Sequence, residues 1–174
     1  MSSLRIGAKG PTSSYLLDLV DQGGIALVMS CKRKKMPRAE WDDIWMEFAH
    51  LIARRSYDPR YQVGSVIVTD TNTQVLAVGY NGNYSGGPNE VESTTPGASG
   101  MIHAEINALI KLDYNNPHDK IMYLTLSPCR ACAKAIVNGG ISEVVYGEAY
   151  RDTSGLDLLK SAGVKVRQHC HEQV

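Results

Sequence analysis

The chain of 174 residues has no excess of either charge: Lys+Arg and Asp+Glu both number 18, for a formal net charge of zero. Proteins that grip a long polyphosphate usually carry a basic surplus. A large nucleic-acid partner is therefore disfavoured, while a small anionic ligand remains compatible. No apolar run approaches the roughly 20 residues a helix needs to cross a bilayer. The opening "MSSLRIGAKGPTSSY" lacks the apolar stretch of a secretory signal, so a cytoplasmic protein with no membrane association is expected. Internal repeats and low-complexity tracts are missing as well. Cysteine is scarce, at Cys31, Cys129, Cys132 and Cys170. In a reducing compartment these do not suggest a disulfide framework, and a Cys-x-x-Cys pair there more often serves metal or redox chemistry.

What is present is ordinary in bulk. Hydrophobic residues make up 43% and charged residues 21%, the balance of a soluble globular protein, and the length suffices for one compact domain with a real core. Residues 1–37 hold two short apolar stretches, "SYLLDLV" and "GGIALVMS", followed by "CKRKKMPR". They are read as an N-terminal extension of unassigned role, and residues 38–174 as the main domain. The basic run at 32–35 reads as a solvated linker rather than an RNA or DNA contact, given the zero net charge.

The main domain has clear periodicity. "RAEWDDIWMEFAHLIARRS" places Trp41, Ile44, Trp45, Phe48, Ala49 and Ile52 at helical spacing, with Trp41, Trp45 and Phe48 expected in the core. "YDPR" ends that helix. "QVGSVIVTD" and "TQVLAVGYN" are β-branched runs around a polar turn, the pattern of a hairpin. Residues 81–100, rich in Gly, Pro, Asn and Ser, form a long loop of the kind that is often functional. A helix is predicted over Ile102–Leu112, then a strand in "KIMYLTLS". Another helix is predicted in "PCRACAKAIVNGG", with Pro128 at its start and Gly139-Gly140 at its end. A strand in "SEVVYG", a helix in "SGLDLLKSAG" and a strand in "VKVRQ" follow. This alternation implies one mixed sheet flanked by helices.

The chemistry concentrates in "HAEINALIK" and "SPCRACAK". Zinc takes imidazole nitrogen and thiolate sulfur, and a catalytic zinc leaves one position open. His103, Cys129 and Cys132 are three ligands of that kind. Cys129 and Cys132 stand at i and i+3, on one face of a helical first turn, where the positive end of the helix dipole favours ionised sulfur. Glu105 lies two residues after His103. The two side chains converge only if His103 sits at the helix boundary, off the helical path, with Glu105 a base beside the metal rather than a ligand. A thioredoxin-like redox pair is the competing reading of Cys-x-x-Cys, but it would sit near the N-terminus and would leave His103 and Glu105 unused. The tail's His169, Cys170 and His171 are metal-friendly in type, yet they alternate along a terminal strand and are read as incidental.

His-x-Glu followed by Pro-Cys-x-x-Cys is the known signature of zinc-dependent deaminases. With "RSYDPRYQVGSVIV", "VGYNGNYSGGPNE" and "SPCRACAKAIVNGGISEVVY", the stretch Trp41–Gln168 resembles the cytidine/deoxycytidylate deaminase superfamily, and most of all its deoxycytidylate (dCMP) branch. Free-cytidine deaminases typically carry Cys where His103 stands. tRNA adenosine deaminases usually lack the Tyr-Asn-Gly loop and an Asn at the position of Asn107.

The resemblance implies a cytidine-deaminase-like three-layer α/β/α fold with a mixed five-stranded sheet. It also implies zinc held by His103, Cys129 and Cys132, and hydrolysis of dCMP to dUMP and ammonia with Glu105 moving the protons. Alternatives are another cytosine nucleotide such as dCTP or a modified dCMP, a nucleic-acid-editing deaminase, and a zinc-stabilised module without turnover. Among substrate contacts, Asn81 matches the family's substrate-binding Asn, and the Ser127 carbonyl is expected to accept from the exocyclic amine. Arg60 is the candidate for a 5′-phosphate, ahead of Arg55 and Ser56, and Tyr150 for stacking on the base. A homo-oligomer and a nucleotide effector are usual in the family. This chain departs at Tyr84, where many members have Pro. Its long loop also lacks the Cys and His of a second, structural zinc, so a single zinc is expected.

Overall fold

The computed structural model describes residues 38–95 and 98–170; the 1–37 extension and its basic run, together with His171, lie outside them. Nine elements follow in the predicted order: α1 (Trp41–Ala53), β1 (Gly64–Thr69), β2 (Val75–Tyr80), α2 (Ala104–Leu109), β3 (Lys120–Leu126), α3 (Arg130–Asn138), β4 (Glu143–Glu148), α4 (Ser154–Ser161) and β5 (Lys165–Gln168). The sheet order is β2-β1-β3-β4-β5. β1 runs antiparallel to both β2 and β3, whereas β3, β4 and β5 are mutually parallel. The parallel pairs need crossovers, which α3 and α4 supply.

Alternation along the strands sorts the core into two layers. Val66, Val68, Tyr123 and Val145 face α1 through Met46 and Ala49. Ile67, Met122, Leu124 and Val144 face the opposite side, against Ala108 of α2, Ile136 of α3 and Leu159 of α4. Helices thus cover both sides of a mixed five-stranded sheet.

The aromatic stripe expected in the core is displaced. Trp41 is 42% exposed and Ile44 37% exposed, and the buried line of α1 is Met46, Ala49 and Ala53. α1 lies so close to β1 that a Cβ on Gly64 would come within 2.0 Å of the Ala49 carbonyl oxygen. Such an approach leaves room only for small side chains at the contact. The large rings of Trp45 and Phe48 flank it, half-buried, and Trp41 stacks on Trp45 with ring centroids 5.3 Å apart.

Two helix boundaries also differ. α2 is shorter than predicted, spanning Ala104–Leu109. α3 begins at Arg130 rather than Pro128, with Cys129 as its N-cap residue in extended conformation (φ −68°, ψ 165°). The C-terminal ends of β2, β3 and β4 and the N-terminal end of β1 share one edge of the sheet, because Gly64 pairs with Tyr80, Ser65 with Leu124, and Leu126 with Glu148. Ligand sites in open α/β sheets form outside such strand ends.

Candidate active site and metal centre

His103 is the N-cap of α2, with φ −67° and ψ 153°, so it lies off the helical path as its spacing from Glu105 required. α2 is seated directly on β2: a Cβ on Gly79 would meet the Ala104 carbonyl oxygen at 2.2 Å. The Asn107 amide nitrogen donates to the Tyr80 carbonyl at 2.8 Å, tying the helix to the end of that strand. Cys129 is held similarly, since α4 packs against its backbone; a Cβ on Gly155 would lie 2.1 Å from the Pro128 carbonyl oxygen.

The two N-caps face each other. His103 Nδ1 is 3.7 Å from Cys129 Sγ and 3.3 Å from Cys132 Sγ. The three donor atoms all lie within 4.8 Å of one another, and among the described residues they form the single group suited to a metal ion. Tetrahedral zinc with bonds of about 2.0–2.3 Å sets its donor atoms about 3.5–3.8 Å apart; the His103–Cys129 separation of 3.7 Å lies in that range and the His103–Cys132 separation of 3.3 Å is slightly shorter. Imidazole and two thiols are also the donor types zinc takes. The set therefore fits zinc.

The groups polarise one another strongly. Hydrogen bonds from Cys132 and then His103 lower the Cys129 thiol to about 3. The Cys132 thiol is pushed up by its bond to the Cys129 sulfur and by burial. His103 is raised by its bond to Cys129. Glu105, 4% exposed, is raised because burial disfavours its carboxylate. Its carboxyl borders the Cys132 thiol, and a buried acid beside a metal-ligand set is suited to proton transfer.

A cavity of about 480 Å³ opens beside these groups. His103, Glu105, Cys129, Asn81, Ser127, Arg60 and Tyr150 all line it, so it gathers nearly every residue expected at the site. Cys132, 3% exposed, completes the ligand set from behind. Arg55 and Ser56 do not reach the cavity. Arg55 is exposed, and Ser56 is buried where its hydroxyl accepts the Asp58 N–H at 3.2 Å.

Three features were not legible beforehand. Asn81 is already engaged: its carbonyl oxygen accepts the Val63 N–H at 2.8 Å and its amide nitrogen donates to the Tyr61 carbonyl at 2.8 Å. Asp58, read only as part of a helix-ending turn, is buried in the cavity wall, where one carboxylate oxygen accepts the N–H groups of Arg60 and Tyr61. The Asp-Pro pair was the available signal, since Asp side chains fold back onto following amides in turns. Tyr61 and Arg151 also line the cavity; each follows an expected site residue but has no periodicity of its own. The Ser127 hydroxyl accepts the Tyr150 N–H at 2.8 Å, fixing where Tyr150 leaves β4. At the tail, His169 Nε2 lies 2.8 Å from an Asp43 oxygen, away from the metal group.

Comparison with known proteins agrees with this geometry. Residues 39–148 match the family described as "Cytidine and deoxycytidylate deaminase zinc-binding region". Deoxycytidylate deaminase of Homo sapiens is 35% identical over 153 residues, covering 80% of this chain and 85% of that protein. ComE operon protein 2 of Bacillus subtilis is 36% identical over 140 residues, covering 76% and 73%. The dCMP deaminase of cyanophage S-TIM5, solved in complex with dCMP and dUMP, superposes with a TM-score of 0.66 at 33% identity, covering 77% of this chain and all of that one. No helix among the described residues is long and apolar enough to cross a membrane. With its His-Cys-Cys group, its mixed sheet and this span of sequence similarity, the chain belongs to the zinc-binding cytidine and deoxycytidylate deaminase family.

Proposed function

We propose that this protein catalyses the hydrolytic deamination of dCMP to dUMP and ammonia, in the cytoplasm, with residues 38–174 as the zinc-dependent deaminase domain and 1–37 as an extension without assigned role. The observation that carries the reading is the buried Glu105 carboxyl beside the converging His103, Cys129 and Cys132 donors, all opening on one cavity. Human and cyanophage relatives named for this reaction, one with dCMP and dUMP bound, support the choice of substrate.

In this proposal His103 Nδ1 and the sulfurs of Cys129 and Cys132 hold zinc. When bound, zinc supplies the positive charge that makes water acidic enough to react at neutral pH. Glu105 takes a proton from water as the water oxygen bonds to C4 of cytosine and delivers it to N3, then takes the remaining proton from the new C4 hydroxyl and delivers it to the departing amine. The C4–N bond breaks and ammonia leaves. Burial of Glu105 raises its carboxyl, which favours handing on a proton once it has taken one.

The Ser127 carbonyl accepts from the exocyclic amine, directing that edge of the base toward the metal group. Tyr150 stacks on the ring. Asn81 contacts the substrate while bracing the strand ends, and Arg60 meets the 5′-phosphate. Self-association and control by a nucleotide effector belong to the same proposal; sedimentation with and without dCTP or dTTP tests them.

Purified protein offered dCMP, CMP, dCTP, deoxycytidine and a tRNA, with ammonia release followed, tests the main claim. Turnover of dCMP that disappears in Glu105→Ala while zinc stays bound is the expected result. Preferred turnover of dCTP or tRNA would replace the substrate assignment.

A further inference from the structure

Among the described residues two arginines line the cavity, and their surroundings differ. Arg60 precedes β1 and Arg151 follows β4, the two strands that flank β3. They therefore approach from opposite sides of the strand that leads into Ser127 and Cys129. Arg60 is occupied: its Nη1 donates to the Thr94 carbonyl at 3.0 Å, and its Nε lies 4.0 Å from Asp58. Arg151 has no carboxylate within 4.0 Å among the described residues. Its neighbour Asp152 accepts the Ser154 N–H at 2.9 Å at the start of α4.

The Arg151 guanidinium carbon instead sits 5.4 Å from the centroid of the Tyr150 ring. That ring is braced by Tyr61, edge-on at 6.5 Å between centroids and 79° between planes. A cation held over an aromatic face keeps its donors pointing outward and loses less freedom on binding. A planar guanidinium with unspent donors in a cavity wall matches the paired oxygens of a phosphate monoester.

We infer that Arg151, presented by the Tyr150–Tyr61 pair, selects a nucleoside 5′-monophosphate over the free nucleoside. The inference rests on the deamination proposed above and adds its substrate selectivity. Arg60 already has its Nη1 on the Thr94 carbonyl and its Nε beside Asp58, so its guanidinium is partly committed and Arg151 is the preformed contact.

The test compares wild type, Arg151→Ala and Arg151→Lys in steady-state turnover of dCMP and of deoxycytidine. Calorimetric binding of dUMP and of deoxyuridine runs in parallel. Loss of a charged hydrogen bond predicts a fall of about 10- to 100-fold in kcat/KM for dCMP in Arg151→Ala. The fall is carried by KM, with the same loss in dUMP affinity. Deoxycytidine turnover and deoxyuridine binding stay unchanged. Arg151→Lys recovers only part, because an ammonium lacks the two-pronged geometry.

Equal losses for nucleotide and nucleoside would mean a structural role and overturn the inference, as would no loss for either nucleotide. If wild type releases ammonia from no cytosine compound, the proposed reaction fails, and the binding arm still decides Arg151. A preference for dUMP over deoxyuridine that vanishes in Arg151→Ala upholds it; no such preference in wild type refutes it.

Discussion

His103 Nδ1 and Cys132 Sγ lie 3.3 Å apart although 29 positions separate them in sequence. The contact joins the start of α2 to the first turn of α3. Replacing Cys132 with Ser removes a thiolate that neither helix can replace. Even an outer hydrogen-bond partner of a metal ligand is worth 10- to 100-fold in affinity, so losing the ligand costs at least about 100-fold. Zinc content measured by elemental analysis, together with dCMP turnover, should collapse in Cys132→Ser and in His103→Ala. Full zinc content in either variant would remove that residue from the ligand set.

Glu105→Gln keeps the shape of the side chain and removes its ability to carry protons. Turnover should fall by about 10²- to 10⁴-fold, the usual range for a lost general acid–base, with zinc retained. Unchanged kcat in a zinc-loaded variant would assign the proton transfer elsewhere.

Gly79→Ala tests whether the seat of α2 sets the metal site. The added methyl would stand 2.2 Å from the Ala104 carbonyl oxygen and 2.5 Å from the Ala108 nitrogen, so the helix has to lift. The expected destabilisation is about 1–3 kcal/mol by denaturant titration, the range for overpacking. Zinc affinity should drop in parallel because His103 caps that helix. A variant with wild-type stability and zinc content would show that the seat tolerates the methyl.

Away from the site, Asp42 joins α1 to the sheet. It accepts the Tyr123 hydroxyl at 2.6 Å and pairs with Arg167 of β5, with Nη1 2.6 Å from its Oδ2. The Arg167 hydrogen bond holds the Asp42 carboxyl below its ordinary 3.8. A lowered carboxyl stabilises the fold above its unfolded value and loses that contribution as pH falls through the folded one. Asp42→Asn should therefore lower Tm at pH 7, and the gap from wild type should close below about pH 4. Partial exposure of the pair and screening limit the effect to about 1 kcal/mol. A gap of constant size down to pH 3 would tie it to packing rather than charge.

Asn81→Ala leaves the Val63 N–H and the Tyr61 carbonyl without their partner. The cost should be about 1–3 kcal/mol in unfolding free energy, together with weaker dCMP binding. A loss of binding at unchanged stability would make Asn81 a substrate ligand alone.

The nine elements of the described residues, their order and the His103, Cys129 and Cys132 group that could hold a metal ion were readable from the chain. Strand and helix periods repeat over many residues, and His-x-Glu with Pro-Cys-x-x-Cys fixes donor types at short spacing. Such patterns are local, so a linear sequence carries them whole.

Tertiary structure alone decided which residues share a wall. Asn81 bonds to Tyr61 across 20 positions, Trp41 loses its place in the core because α1 sits close over Gly64, and Arg151 reaches the cavity with a tyrosine as its support. Each depends on how the strands order themselves and how closely the layers approach. Those distances arise from packing between remote segments, and irregular loops carry no period from which to foresee them.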